Sequence, residues 1–199
     1  MKRLIIGVAA LALLVGGVGQ ARAESIIGST MHWQYYAFGG PYFFSGGQTN
    51  GTFVDNGTND IGGTFIGGTG LHYFDIRSDA NSITFDYRGG NQSSTWSESD
   101  LSLAPTIHNG IAIDMILGPE FQSVMIDPAT NMVGFDAKRI SFTGNQIQVD
   151  WQNLDFNQDT IVKLDVNAVP EPASVTLLGI GIAGMAGYAW RRKKQQAKV

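Results

Sequence analysis

Between Glu24 and Ala168 no stretch of this chain sustains the 3.6-residue apolar period of an amphipathic helix, whereas short runs alternating apolar with polar residues recur between clusters of Gly, Asn and Asp. Alternation puts every second side chain on one face of an extended strand, so such a segment buries apolar surface by laying strands side by side. The alternating runs are 30–37, 52–55, 64–66, 71–77, 82–88, 110–117, 123–126, 132–136, 139–143, 146–151 and 161–166. So many short strands at short spacing predict an all-β domain, an antiparallel β-sandwich of jelly-roll-like or similar kind.

The clearest unit is Arg139-Ile-Ser-Phe-Thr143, then Gly144-Asn145, then Gln146-Ile-Gln-Val-Asp-Trp151. A two-residue Gly-Asn loop pairs Thr143 with Gln146, Phe142 with Ile147 and Ile140 with Val149, which sets apolar partners opposite one another. The run at 161–166 repeats the alternation through Val162, Leu164 and Val166 and is expected beside this hairpin as a meander. Between Gly39 and Gly70, 11 of 32 residues are glycine, so strands there should be short and joined by tight turns such as Asn50-Gly51 and Asn56-Gly57. Phe53, Val54, Ile61, Phe65 and Ile66 interrupt that stretch too regularly for a flexible linker.

Charge separates this middle from the two ends. Of 13 Lys and Arg, only 5 lie between Glu24 and Val169, against 16 acids, a balance of -11 that repels phosphate backbones and argues against a nucleic-acid partner. There is no cysteine, hence no disulfide.

Residues 1–23 carry Lys2 and Arg3, an uncharged apolar run of 15 residues from Leu4 to Val18, and the small-residue pattern Ala21-Arg22-Ala23. The run is short for a membrane span of about 20 residues and ends in a cleavage pattern, so it reads as a secretory signal peptide cut after Ala23. Signal peptidase and the secretion machinery are the partners this implies, and the domain is residues 24–168. At the other end, residues 173–190 hold no charge and are followed by Arg191, Arg192, Lys193 and Lys194. As a helix these 18 residues would reach about 27 Å, close to a hydrocarbon core of about 30 Å. The basic tail 191–199 would then stop transfer and stay cytoplasmic, leaving the domain outside.

Val169-Pro170-Glu171-Pro172-Ala173-Ser174 stands just before that span. Pro170 and Pro172 remove two backbone donors and hold the chain extended, a stiff spacer a processing enzyme can grip. The order Val-Pro-Glu-Pro-Ala, a short Gly-rich apolar helix, a basic cluster and the chain end resembles the PEP-CTERM sorting signal of Gram-negative bacteria, over residues 169–199. The resemblance implies that an exosortase recognises Pro170, Glu171 and Pro172. It further implies an inner-membrane anchored precursor whose tail is removed as the protein is exported to the cell surface or the exopolysaccharide matrix.

No residue pattern in the middle identifies a reaction. His32, His72 and His108 are isolated in sequence, with no zinc spacing, and His72 alternates with Phe74 and Ile76 as a packed strand histidine would. There is no Gly-x-Ser-x-Gly, no cysteine nucleophile and no P-loop. Asp155-x-Asn157-x-Asp159 begins like a calcium loop, but Thr160 and Val166 stand where the turn glycine and the bidentate acid belong, so a polar turn is expected. Glu98 and Asp100 are the one candidate carboxylate pair for glycoside hydrolysis, in a polar loop where acids are usually only solvated. No cofactor, metal or catalytic residue is expected. The best binding signal is aromatic: Trp33, Tyr35, Tyr36, Phe38, Tyr42, Phe43 and Phe44 lie within twelve residues. Trp33 and Tyr35 share a strand face and suit a core, whereas the Phe38–Phe44 loop offers flat rings for stacking on sugar, with Tyr42 and Phe43 as candidate glycan contacts. The sequence therefore reads as a non-catalytic structural or adhesive component of the envelope or exopolysaccharide matrix. A polysaccharide-active enzyme and a lectin-like module are the rivals.

Overall fold

Along β1 (Thr30–Ala37), Met31, Trp33, Tyr35 and Ala37 point one way and are buried, while Thr30, His32 and Tyr36 point the other and remain partly exposed. This two-residue period organises the computed structural model, which describes residues 25–57, 61–101 and 107–169. The further strands are β2 (Gly40–Pro41), β3 (Asn50–Val54), β4 (Ile61–Ile66), β5 (His72–Asp79), β6 (Ser82–Asp86), β7 (Ser94–Thr95), β8 (Asn109–Leu117), β9 (Glu120–Ile126), β10 (Ile140–Thr143), β11 (Gln146–Asp150), β12 (Asp155–Phe156) and β13 (Ile161–Val169). Single 3-10 turns lie at Tyr87–Gly89 and Ala137–Arg139, and no α-helix occurs among the described residues.

Every strand pair is antiparallel. A six-stranded sheet runs β10-β11-β8-β1, with β2 and β3 sharing the free edge of β1; a five-stranded sheet runs β4-β5-β6-β13-β9; β7 and β12 form a separate short ladder. The two large sheets touch at both edges. Gln48 and Ile66 exchange backbone hydrogen bonds of 2.8 and 2.9 Å beside β3 and β4, and the Phe121 N–H in β9 donates to the Gly144 carbonyl after β10 at 2.7 Å.

One apolar cluster draws on both sheets. Trp33, Ile111, Ile113, Ile147 and Val149 come from the first, and Phe65, Phe74, Ile76, Phe85, Val162 and Leu164 from the second. Trp33 lies 6.5 Å from Phe65, and Trp151, just after β11, lies 5.4 Å from Phe74 and 5.3 Å from Phe85, centroid to centroid. Tilted and edge-on ring pairs of this kind contribute about 0.5–1.5 kcal/mol each beyond their area burial.

The domain has two distinguishable ends. The Ile26 N–H donates to the Ala80 carbonyl at 2.9 Å and the Val166 N–H to the Asn81 carbonyl at 2.8 Å, so the chain enters and leaves beside the same β5–β6 turn. This terminal end also holds Thr30 and the β8–β9 turn, because Thr30 pairs with Leu117 and Val169 with Glu120. Ala37, Asn109, Asp86 and Ile161 mark the opposite, distal end.

The hairpin of β10 and β11 has the expected register, Ile140 with Val149, Phe142 with Ile147 and Thr143 with Gln146. Three expectations are corrected. The strand at 161–166 does not continue that hairpin as a meander; β13 sits in the other sheet between β6 and β9, because β8 takes the open edge of β11. Residues 132–136 are not a strand: Gly134 turns the chain at φ 81°, and the Asp136 side chain accepts the Lys138 N–H to start a 3-10 turn. Asn50-Gly51 is not a turn but part of β3, opposite Gln34 and Trp33, where a Cβ on residue 51 would stand 2.8 Å from the Trp33 indole nitrogen. Four sequence readings lie outside the described residues: the signal peptide with Ala21 and Ala23, the Pro170-Glu171-Pro172 element, the 173–190 span and the Arg191–Lys194 cluster. Among the described residues no helix is long and apolar enough to cross a membrane.

Candidate aromatic groove at the distal end

At the distal end, β1 delivers Tyr35 to the rim of the core, and the loop beyond it turns back so that the Tyr42 N–H donates to the Tyr35 carbonyl at 3.1 Å. A cavity of about 300 Å³ opens there. Tyr35, Trp96 and Phe156, all buried, form its base; Tyr42, Phe44 and Tyr73 are half-buried walls, and Phe38 stands at the mouth. Exposed Ser94, Thr95 and Ser97 line the polar side.

The rings brace one another. Tyr42 lies 5.4 Å from Phe38, 4.9 Å from Phe44 and 6.2 Å from Tyr35, while Trp96 lies 5.4 Å from Tyr73, 5.0 Å from Phe156 and 5.8 Å from Tyr35. Polar tips are pinned behind them. The Tyr35 hydroxyl donates to Asn109 Oδ1 at 2.7 Å, and Asn109 Nδ2 donates to the Ser97 carbonyl at 2.8 Å, so one buried amide ties the segment after β7 to β1. The Trp96 indole N–H donates to the Tyr87 hydroxyl at 3.2 Å. Burial raises the phenols of Tyr35, Tyr73 and Tyr87 above the usual tyrosine value, so they remain neutral hydroxyls at physiological pH.

Phe38 is the unusual residue. Its backbone sits at φ 54°, a left-handed conformation that a bulky residue rarely adopts, and its ring is 49% exposed. Gly39 follows at φ 85°, and Ser99 Oγ accepts the Phe38 N–H at 3.1 Å. Holding a phenylalanine this way costs on the order of 1–3 kcal/mol, and such strain collects at functional positions.

Of the two sequence-derived glycan contacts, Tyr42 lines the cavity, whereas Phe43 is 64% exposed and not part of its wall. Tyr73, Trp96 and Phe156 carry no sequence signal that links them to this loop, since only the fold brings them together. Glu98 and Asp100 are both exposed. The histidines are dispersed: His72 Nε2 lies 3.0 Å from Asp75 Oδ1, His32 Nδ1 lies 3.7 Å from Asp114 Oδ2, and His108 Nδ1 lies 3.0 Å from the Ser99 carbonyl. Of the calcium-like residues, Asp155 is not in a turn but in β12, opposite Thr95, and only Asn157 and Asp159 form the polar turn before β13, with Asn157 Oδ1 accepting the Asp159 N–H at 2.8 Å and the Thr160 hydroxyl at 3.2 Å. Among the described residues no three His, Asp or Glu side chains gather in a way that could hold a metal ion.

The model of the PEP-CTERM protein-sorting motif matches residues 168–193, a segment that begins within the last two pairs of β13. The chain is thus an exosortase-targeted secreted protein, made as a membrane-anchored precursor with exosortase as its processing partner. Neither a curated protein nor a solved structure matches the chain.

Proposed function

We propose that the exported domain is a non-catalytic structural or adhesive component of the Gram-negative cell envelope or exopolysaccharide matrix, and that its distal aromatic groove contacts glycan. The observation that carries this is Phe38, kept half-exposed in a strained backbone beside Tyr42 at the mouth of a ring-lined cavity with hydroxyls on one side. Aromatic faces with polar tips suit the alternating C–H and O–H surfaces of a sugar. In this reading the two large sheets are the halves of an antiparallel, jelly-roll-like β-sandwich. Signal peptidase cuts after Ala23, exosortase reads Pro170, Glu171 and Pro172, and Arg191, Arg192, Lys193 and Lys194 stop transfer at the inner membrane. Glu98 and Asp100, the carboxylates on which the rival enzyme reading would depend, are both exposed.

A glycan-array screen and a reducing-sugar assay on the exported protein test the proposal. Binding without release of reducing ends is the expected result. Truncating the ring in Tyr42→Ala should weaken binding by about 0.5–1.5 kcal/mol, roughly 2- to 12-fold in Kd, whereas Glu98→Gln should leave it unchanged. Hydrolysis abolished by Glu98→Gln would replace this reading with the enzyme reading.

A further inference from the structure

Of the large apolar side chains more than half exposed among the described residues, Ile27, Val54, Ile61, Ile116 and Leu117 share the terminal end, while Phe43, Leu101, Met125 and Val133 lie elsewhere. Their adjacency follows from the strand register. Thr30 pairs with Val54 on one side and with Leu117 on the other, so Val54, Thr30 and Leu117 form one row across three strands, and Ile116 is the extra residue where the β1–β8 register shifts. Ile27 reaches the same corner, where its Cδ1 would meet a Cβ placed on Gly57 at 2.6 Å, and Ile61 opens β4 opposite Arg77, two residues from the β5–β6 turn. An apolar row across three strands, with Ile27 and Ile61 at the same end of a domain of net negative charge, marks an interaction face.

The chain's exit identifies what lies against it. Val169 pairs with Glu120, three residues beyond Leu117, so the strand leading to the sorting signal leaves from this rim. Only Pro170, Glu171 and Pro172 separate Val169 from residue 173, where the uncharged 18-residue segment begins. Four residue steps of extended chain reach about 14 Å at most. The headgroup layer on each side of the hydrocarbon is about 5–8 Å deep, so the tether holds the rim at the lipid surface. We infer that in the membrane-anchored precursor the rim formed by Ile27, Val54, Ile61, Ile116 and Leu117 rests in the interface of the bilayer, orienting the domain with its aromatic groove pointing away from the lipid. The inference rests on the reading of residues 173–190 as a membrane span. Contact is apolar, because the domain's net negative charge gives no attraction to anionic lipid. Cleavage at the Pro-Glu-Pro element removes the tether and with it the effective concentration that keeps so small a rim on the membrane.

The absence of native cysteine permits a direct test. Full-length Leu117→Cys, Val54→Cys and Val133→Cys chains, each labelled with the same polarity-sensitive fluorophore, are reconstituted in phosphatidylcholine vesicles containing chain-brominated lipid. Val133, 84% exposed, follows Asn131, whose N–H donates to the Ile161 carbonyl at the distal start of β13, and serves as the reference. The expected result is blue-shifted emission with strong loss of intensity at positions 117 and 54, insensitive to added salt, and neither effect at 133. Vesicle flotation reports the span separately: chains that fail to float refute the membrane-span reading and the inference together. Chains that float while the probes at 117 and 54 behave like the one at 133 refute the inference alone. Protection of 117 that appears only when an exosortase is co-reconstituted, without quenching by lipid, would assign the rim to a protein partner and overturn the bilayer contact.

Discussion

The most exacting consequence of the core geometry concerns Gly63. This buried glycine in β4 carries its backbone so close to the other sheet that an added Cβ would stand 2.3 Å from Trp33 Nε1 and 2.9 Å from its Cε2. Ordinary contact begins near 3.4 Å, so Gly63→Ala demands that the indole or the strand retreat by about 1 Å in a region where close packing leaves no spare room. Trp33 is fully buried and Gly51 closes on the same nitrogen from β3, so the ring has nowhere to go. Overpacking of this kind costs about 1–3 kcal/mol, from which roughly 0.4–1 kcal/mol is regained through the stiffer unfolded chain. The mid-range net loss is about 1.3 kcal/mol, so with a urea slope of about 1–3 kcal/mol per molar the unfolding midpoint should fall by roughly 0.4–1.3 M with no change in slope. Gly40→Ala, at a position with nothing within 4 Å, should stay within about 0.5 kcal/mol of wild type. Trp33→Phe should itself destabilise by opening a cavity, yet in the double variant the new methyl enters space the smaller ring has left, giving a favourable coupling of about 0.5–3 kcal/mol. Additive single effects, or a Gly63→Ala midpoint equal to that of Gly40→Ala, would refute this account of how the sheets meet.

Two further outcomes follow from the distal end. Phe38→Gly relieves the left-handed strain and should raise thermal stability modestly while weakening glycan binding, so a loss of both would show that the ring is there for packing. Arg88 bonds both oxygens of Asp86, at 2.8 and 2.9 Å, and this pairing holds the carboxyl below its usual value of 3.8. The unfolded chain therefore binds that proton more readily, and the stability the pair supplies is whole above about pH 4 and drains as pH falls through 3.8 and lower. Urea midpoints of wild type and Arg88→Gln should differ at pH 7 and draw together as the pH falls below the usual carboxylate value of 3.8, whereas a gap that ignores pH would contradict the pairing.

Much of this was legible because it is local. The β10–β11 register follows from a two-residue turn and from which residues alternate beside it, and no distant element alters it. Sheet membership is different. Whether β13 joins its sequence neighbours or crosses to β6 depends on which edges are already taken, and β8, more than thirty residues upstream of β11, decides that. Asn50-Gly51 carries the composition of a hairpin turn but is used because only a hydrogen at residue 51 fits against the Trp33 indole. The groove was half visible: the aromatic loop at 38–44 announces itself, while Tyr73, Trp96 and Phe156 join it through long-range pairing and the two-residue ladder of β7 and β12. Nothing around Phe38 except the following Gly39-Gly40 hints at its left-handed backbone.

Intact-mass measurement of the protein from its native cells, in surface and membrane fractions, tests the account most directly. A signal-cleaved chain starting at Glu24 and ending near Pro170–Pro172 should be recovered at the surface, free of the 173–190 segment. Glu171→Ala should leave a longer chain held in the inner membrane, while Glu98→Ala should be processed normally. Proline at 170 and 172 removes two backbone donors that a processing enzyme would otherwise find paired, and drawing the four cations from Arg191 to Lys194 through hydrocarbon would cost at least several kcal/mol, so the precursor is expected to wait for cleavage. Recovery of intact chains ending at Val199 as the mature, permanently anchored form would contradict the claim that the domain is released by exosortase.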